Sequence, residues 1–276
     1  MSSENHIRLG ILKFSPTPSV SPLMHEKFMN KLGIDGSYES FSVPPFRLEE
    51  FMSGDEISSL NGFNVTIPHK QSIAGFMNTL TPEANILSAV NTVAVRDGKY
   101  IGHNTDTTGF KKAVEMLKLD LKGKDVLLFG AGGAARAVVQ TLGDLGVSTI
   151  YVRNRTAENA VRLSDILKNT SSKTELVVLE ESKLIPSSLE IVINALGGGI
   201  FEAKWLESLS DLSFFYDLNY GENAFDKKRL SDGVGYSDGL SMLVYQGFES
   251  LKFWLDREIP DDTITESVLT ELNGEI

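Results

Sequence analysis

The sequence predicts an α/β protein of two domains, the second built on a doubly wound parallel sheet. Three observations carry this. From Lys124 onward, apolar runs such as DVLLF, EIVINAL and FFYDLNY alternate with helical stretches, as parallel strands buried on both faces do. The first of these runs opens directly into a glycine cluster and then a helix, GAGGAARA. The first hundred residues instead mix alternating strands with short helices, which reads as a separate unit.

Taken in order, Ile7 to Phe14 is the first strand. SPTPSVSP follows and holds too much proline for the interior of a strand or helix. Leu23 to Leu32 reads as a helix ending near Gly33, SYESFSV as an alternating strand, and RLEEFMS as a short helix. In FNVTIPHK, Phe63, Val65 and Ile67 alternate with Asn64 and Thr66 as in a half-buried strand; Pro68 ends it and Lys70 follows. AVNTVAV is rich in β-formers, and DGKYIGHNTD reads as a hairpin turn with a short strand. Thr107 to Leu119 is a linking helix. After the glycine cluster, Ala135, Val138, Val139 and Leu142 share one helix face, and Gly146 suits its C-terminal cap. STIYVRNR, TELVVLE, EIVINAL and FFYDLNY repeat the strand theme. A last long helix, from about Ser241 to Asp256 with Val244, Phe248, Leu251 and Leu255 as its stripe, is placed back on the first domain. The acidic C-terminal segment ends in a short amphipathic helix.

Composition narrows the function. The 276 residues are 41% hydrophobic and 23% charged, an ordinary globular mix long enough for one large domain or two modest ones. The absence of cysteine excludes disulfides, thiolate metal sites and a cysteine nucleophile, and fits a reducing compartment. A net charge of -11 argues against a nucleic-acid partner, although a local basic patch can still hold an anionic cofactor. No apolar run approaches the roughly 20 residues that cross a bilayer, and MSSENHIRLG lacks the features of a signal peptide. A cytoplasmic protein without membrane partners is expected.

Two motifs carry chemistry. GAGGAARA is a G-x-G-x-x-A pattern: Gly130 allows a tight turn, Gly132 lets the backbone approach a pyrophosphate, and Ala135 permits close helix–strand packing. The helix that follows offers free N–H groups to phosphates. At the end of the next strand, where an acid would meet the ribose of NAD, stand Asn154, Arg155 and Thr156. A guanidinium there grips a 2′-phosphate, which points to NADP. Other signals are ambiguous alone. Asp106 in GHNTD fits an N-cap, and Lys70 fits a solvated lysine. His25, His69 and His103 show no metal-ligand spacing and read as structural or peripheral; no metal is expected. Asn91, inside an apolar run, needs polar partners that a ligand could supply. Ser19 and Ser21 point to one side if extended.

Together these stretches resemble the shikimate dehydrogenase family. SVSPLMHEKF, NVTIPHK, AVNTV, GHNTD, GAGGAARA, NRT, INA, YDLNY and DGLSMLVYQG occur in family order over nearly the whole chain. The resemblance implies reversible NADPH-dependent reduction of 3-dehydroshikimate to shikimate in aromatic amino-acid biosynthesis. It implies a substrate domain of residues 1–105 and 239–276 with a mixed, mainly parallel sheet. It also implies a Rossmann NADP-binding domain of residues 106–238, and an active site in the interdomain cleft. By matched position, Lys70 and Asp106 are implied as the catalytic pair. Ser19, Ser21, Thr66, Asn91 and Gln246 are implied as ligands of the substrate's carboxylate and hydroxyls, with Tyr220 a further contact from the cofactor side. The implied cofactor residues are Gly130, Ala131, Gly132, Gly133 and Ala134 at the pyrophosphate, Asn154, Arg155 and Thr156 at the adenosine phosphate, and Leu218 and Gly239. A monomer or homodimer is expected.

The chain also departs from the family pattern. Pro18 stands where the family has histidine before the first serine, and KFSPTP lacks the usual glycine-proline turn. Asn159 replaces a frequent second basic residue, Leu196 and Gly197 replace Thr-Ser, and Glu222 replaces a common proline. The nearest competing reading is a quinate/shikimate dehydrogenase that uses NAD as well as NADP. A more distant one is a catalytically silent dinucleotide-binding regulator, which the presence of both Lys70 and Asp106 disfavours.

Overall fold

The computed structural model describes residues 6–15, 17–170, 173–180, 184–197, 200–260 and 262–276. They form two compact units: residues up to Gly109 together with Val244–Glu275, and Phe110–Leu243. The unit boundaries fall inside two helices, Asp106–Met116 and Leu240–Leu255. Among the described residues no helix is long and apolar enough to cross a membrane.

The first unit holds six strands: β1 (Ile7–Lys13), β2 (Gly36–Ser42), β3 (Gly62–Val65), β4 (Thr79–Leu80), β5 (Thr92–Arg96) and β6 (Lys99–His103). Their order is β2-β1-β3-β5-β6-β4. β1 runs parallel to β2 and β3, β4 runs parallel to β6, and β5 is antiparallel to both of its neighbours. The β5–β6 hairpin closes through Asp97 and Gly98, at φ 51° and 70°, the two left-handed residues that a type I′ turn requires. The helix after β1 begins at Ser21, two residues earlier than expected, because Pro22 sits in its first turn, where a missing N–H costs nothing. Gly33, at φ 63°, ends it: Gly33 N–H bonds the carbonyl of Asn30 and Ile34 N–H that of Met29.

One core fills the face of this sheet that carries Leu12, Phe63, Val65 and Val93, packed on Phe41, Leu48, Ile57 and Ile73. The opposite face of β3 corrects the half-buried reading of NVTIPHK. Asn64 is 5% exposed, because Tyr38, His25 and Ser250 reach it from covering elements. The strand also stops at Val65. Thr66 to His69 form a turn, closed by His69 N–H on the Thr66 carbonyl (2.8 Å), with a cis Ile67–Pro68 peptide. Ile67 lies beyond the end of the pleat and is 60% exposed, not buried as alternation predicts.

His25 stacks on Tyr38 (centroids 4.5 Å apart, planes 10°) and is fully buried. Burial, only partly offset by its bond to Asn64, pulls its pKa from 6.5 down to about 3. The unfolded chain therefore takes up a proton below pH 6.5 that the folded chain refuses. The stability this histidine contributes is present above pH 6.5 and is lost progressively as the pH falls below it, toward the folded value. In urea titrations between pH 7 and pH 4, His25→Phe is expected to flatten this slope; an unchanged slope would assign the acid lability to other groups.

The second unit holds β7 (Asp125–Phe129), β8 (Thr149–Arg153), β9 (Glu175–Val178), β10 (Ile191–Asn194), β11 (Phe214–Asp217) and β12 (Gly235–Ser237). All pairings are parallel, in the order β12-β11-β10-β7-β8-β9. The chain winds outward from β7 in one direction and then from β10 in the other. This places a topological switch point at their C-terminal ends, where such sheets bind ligands. The helix Gly133–Asp144 buries Ala135, Val138, Val139 and Leu142 completely. It ends as the sequence predicts: Gly146, at φ 74°, donates to the Gly143 carbonyl and Val147 N–H to that of Leu142. Aromatic rings of Phe129, Phe201, Phe215, Phe225 and Trp205 pack the core beside β10 and β11.

Candidate active site

Lys70 follows the turn after β3, and its carbonyl accepts Val90 N–H at 2.7 Å, which fixes it beside Asn91. Asp106 opens the helix Asp106–Met116. Its N–H is held by Asn104 Oδ1 (2.9 Å), while Asn104 Nδ2 donates to the Ala89 carbonyl (2.9 Å). The Asp106 carboxylate is thus free of capping duty. Oδ2 accepts from Lys70 Nζ at 2.6 Å and Oδ1 from Asn91 Nδ2 at 2.8 Å. The two side chains are 14% and 4% exposed. A charge pair this buried is sustained only by such added hydrogen bonds.

Asn91 is the hub. It is 2% exposed, and its main chain is tied to β3 and β6 through Val65 N–H and the His103 carbonyl. Its side-chain oxygen accepts from Thr105 N–H (2.8 Å) and the Thr92 hydroxyl (2.9 Å). Its amide nitrogen faces Asp106, Thr105 Oγ1 (2.9 Å) and Gln246 Oε1 (3.2 Å). Two N–H groups serve three acceptors, so a ligand hydroxyl reaches Asn91 only by replacing one of them. Beyond it, Thr92 and Ser250 hydroxyls meet at 2.7 Å, Asn64 Nδ2 donates to Ser250 (3.0 Å), and Tyr38 donates to Asn64 (2.8 Å). An uncharged polar chain therefore runs from Tyr38 to the ion pair.

Of the residues singled out in the sequence, the structure joins Lys70, Asp106, Asn91 and Gln246 directly. Thr66 begins the turn that leads to Lys70. Ser19 and Ser21 lie where the loop after β1 enters the helix, linked by Ser21 N–H on Ser19 Oγ at 3.2 Å. Tyr220 lies in the second unit, just after β11. The supporting roles of Asn64, Thr92, Thr105 and Ser250 were not assigned from sequence. One signal existed: Gln246 and Ser250 stand four apart in the same helix, on one face. His69 and His103 are held by the Val43 carbonyl (2.7 Å) and the Thr81 hydroxyl (2.8 Å).

The residues of the second unit fit a dinucleotide. Gly130 has φ 103°, and a Cβ there would stand 2.9 Å from the Ala195 backbone, so only glycine makes this turn. Gly132 and Gly133 open the helix; a Cβ on Gly132 would point into open space, the room a pyrophosphate needs. No side chain caps the helix and no acid occupies its first turn, so its N–H groups remain available to phosphate. Asn154, bonded through Nδ2 to the Thr156 carbonyl at 2.7 Å, shapes the turn after β8 that exposes Arg155 and Thr156. Leu218 is bonded through its N–H to the Asn194 carbonyl (2.9 Å) at the end of β10, and Gly239 packs without a side chain on the Leu218 carbonyl. The buried Asp217 accepts from Asn194, Asn219 and Phe225 and so sets the course of Leu218–Tyr220.

Three family models match the chain in succession: shikimate dehydrogenase substrate binding domain over residues 17–93, shikimate / quinate 5-dehydrogenase over 111–220, and shikimate 5'-dehydrogenase C-terminal domain over 239–269. The chain belongs to the shikimate dehydrogenase family. A shikimate dehydrogenase (NADP(+)) of Caldanaerobacter subterraneus subsp. tengcongensis is 32% identical over 95% of this chain and 96% of its own length. Another from Bacillus mycoides is 35% identical, over 93% and 95%. Among solved structures, shikimate 5-dehydrogenase from Thermus thermophilus, in complex with NADP(H) and shikimate, superposes with a TM-score of 0.77 at 28% identity. That match covers 96% of this chain and 99% of the other. The shikimate dehydrogenase substrate-binding model spans Ser19, Ser21, Thr66, Lys70 and Asn91; the second spans the glycine turn, Asn154–Thr156, Leu218 and Tyr220; the third spans Gly239 and Gln246. Asp106 falls between the first two.

Proposed function

We propose that the protein is an NADP-dependent shikimate dehydrogenase that interconverts 3-dehydroshikimate and shikimate for aromatic amino-acid biosynthesis. The observation that carries this reading is the buried Lys70–Asp106 pair, 2.6 Å apart and braced by Asn91. When bound, NADPH supplies the hydride to the ketone carbon. The carbonyl oxygen must then gain a proton, and Lys70 is the group built to give it. One of its N–H bonds is committed to Asp106, and two remain for the oxygen at C3. In the reverse direction Lys70 takes the proton from the shikimate hydroxyl, and Asp106 holds the ammonium that results. Ser19, Ser21, Thr66, Asn91 and Gln246 orient the ring. We assign the substrate to residues 1–105 and 239–276 and the cofactor to residues 106–238. The cysteine-free composition supports placing the enzyme in the cytoplasm.

Steady-state assays with shikimate and quinate, each with NADP and NAD, test this reading. Shikimate with NADP is expected to be the preferred pair; faster turnover of quinate with NAD would replace it with the broader reading. Arg155→Ser is expected to raise the KM for NADP about 10- to 100-fold, the worth of a charge-assisted bond to the 2′-phosphate, while leaving NAD kinetics nearly unchanged. Equal loss with both cofactors would remove Arg155 from the phosphate.

A further inference from the structure

Lys13, the last residue of β1, is a buried cation of the first unit without an acidic partner among the described residues. It is 9% exposed, and its Nζ donates to the Thr17 carbonyl at 2.7 Å. The other partly buried lysines of this unit behave differently. Lys27, Lys70 and Lys252 each face at least one carboxylate at 2.6–3.2 Å. Taking a charge out of water without a counter-ion is costly, so a site that keeps one implies an anion that comes from outside.

The register says where that anion sits. Ile11 pairs with Asn64 and Leu12 with Val65, and Thr66 N–H bonds the Leu12 carbonyl at 3.0 Å. Lys13 therefore lies on the sheet face that carries Asn64, and Thr66, the first residue of the turn, leaves β3 beside it. Thr17, which the ammonium holds, lies two residues before Ser19 on the loop that delivers Ser19 and Ser21. Lys13 thus stands between the residues assigned to the substrate from two directions. All of those residues are neutral, and the charge of Lys70 is already answered by Asp106.

We propose that Lys13 is a substrate-binding residue whose ammonium pairs with the carboxylate of the substrate, beside the hydroxyls of Ser19, Ser21 and Thr66. This rests on the reading of the substrate as shikimate, a carboxylate. It gives a chain of net charge -11 a local attraction for an anion. It also gives a purpose to KFSPTP, the stretch that departs from the family's glycine-proline turn.

Calorimetric titration of wild type, Lys13→Met and Lys13→Arg with shikimate and with its neutral methyl ester tests the assignment, with thermal unfolding as the check on folding. Lys13→Met is expected to weaken shikimate at least about 10-fold and to leave the ester within about two-fold, with Lys13→Arg recovering most of the loss. Equal weakening of acid and ester would show that Lys13 only holds the loop, and no weakening of either would place it outside the site; both overturn the proposal. Wild-type oxidation of shikimate by NADP, measured alongside, decides the underlying reading separately.

Discussion

Lys70→Met is expected to lower shikimate turnover by about 100- to 10,000-fold, the usual worth of a positioned general acid–base, with KM changed far less. Methionine keeps most of the length and apolar stem of lysine but can neither give nor accept the proton. The substitution also leaves Asp106 buried at 4% exposure with only Asn91 bonded to its carboxylate. Some stability is therefore lost with the activity, and the kinetics must be read on protein shown to be folded at the assay temperature. The decisive quantity is the ratio of the two effects. A role only in ground-state binding raises KM and spares kcat, whereas a role in the transition state lowers kcat and kcat/KM together. Retention of most of the turnover with a raised KM would take proton transfer away from Lys70.

The second large effect is structural. Gly239→Ala is expected to destabilise the second unit by about 3 kcal/mol or more, at the upper end of overpacking costs. A Cβ on Gly239 would collide with the Leu218 carbonyl and stand 2.5 Å from its carbon, and a backbone cannot rotate aside as a side chain can. Leu218 is itself fixed from the other direction, by its N–H on Asn194 and by the Asp217 network around it. The strain therefore spreads to Leu218–Tyr220. The midpoint of thermal unfolding is expected to fall by roughly 6–12 °C, and NADP affinity with it. An unchanged midpoint would mean that the chain between Leu218 and Gly239 yields at no cost.

Legibility in the sequence followed how local the cause was. The β7–turn–helix unit could be read because each of its demands falls on neighbouring residues: apolar DVLLF, then Gly130 and Gly132, then an apolar helix stripe. The Asp97–Gly98 hairpin was equally local. NVTIPHK was misread in two places, both for non-local reasons. Asn64 is buried because Tyr38, His25 and Ser250, 26 to 186 residues away, cover it. Ile67 is exposed because the turn that follows Val65 draws the chain off the sheet. Read alone, Lys70 and Asp106 each fitted an ordinary surface or capping role; the family resemblance paired them, and the fold brings them together across 36 residues. Ser250 was marked only by its spacing from Gln246, and Lys13 lay at the end of a strand, where nothing beside it announces what it lacks.

The braced ion pair has a consequence for traffic rather than for geometry. Behind Asp106 the chain of partners passes through Asn91 and Asn64, and a carboxamide, unlike a hydroxyl or an imidazole, does not hand a proton onward. The hydroxyls of Thr92, Thr105 and Ser250 are thus islands that no proton reaches through Asn91. The interior of the first unit insulates the pair, and exchange with bulk water has to pass by Lys70, the more exposed of the two. A bound substrate would block that doorway, so each turnover would begin with whatever proton the lysine carried when the ligand arrived.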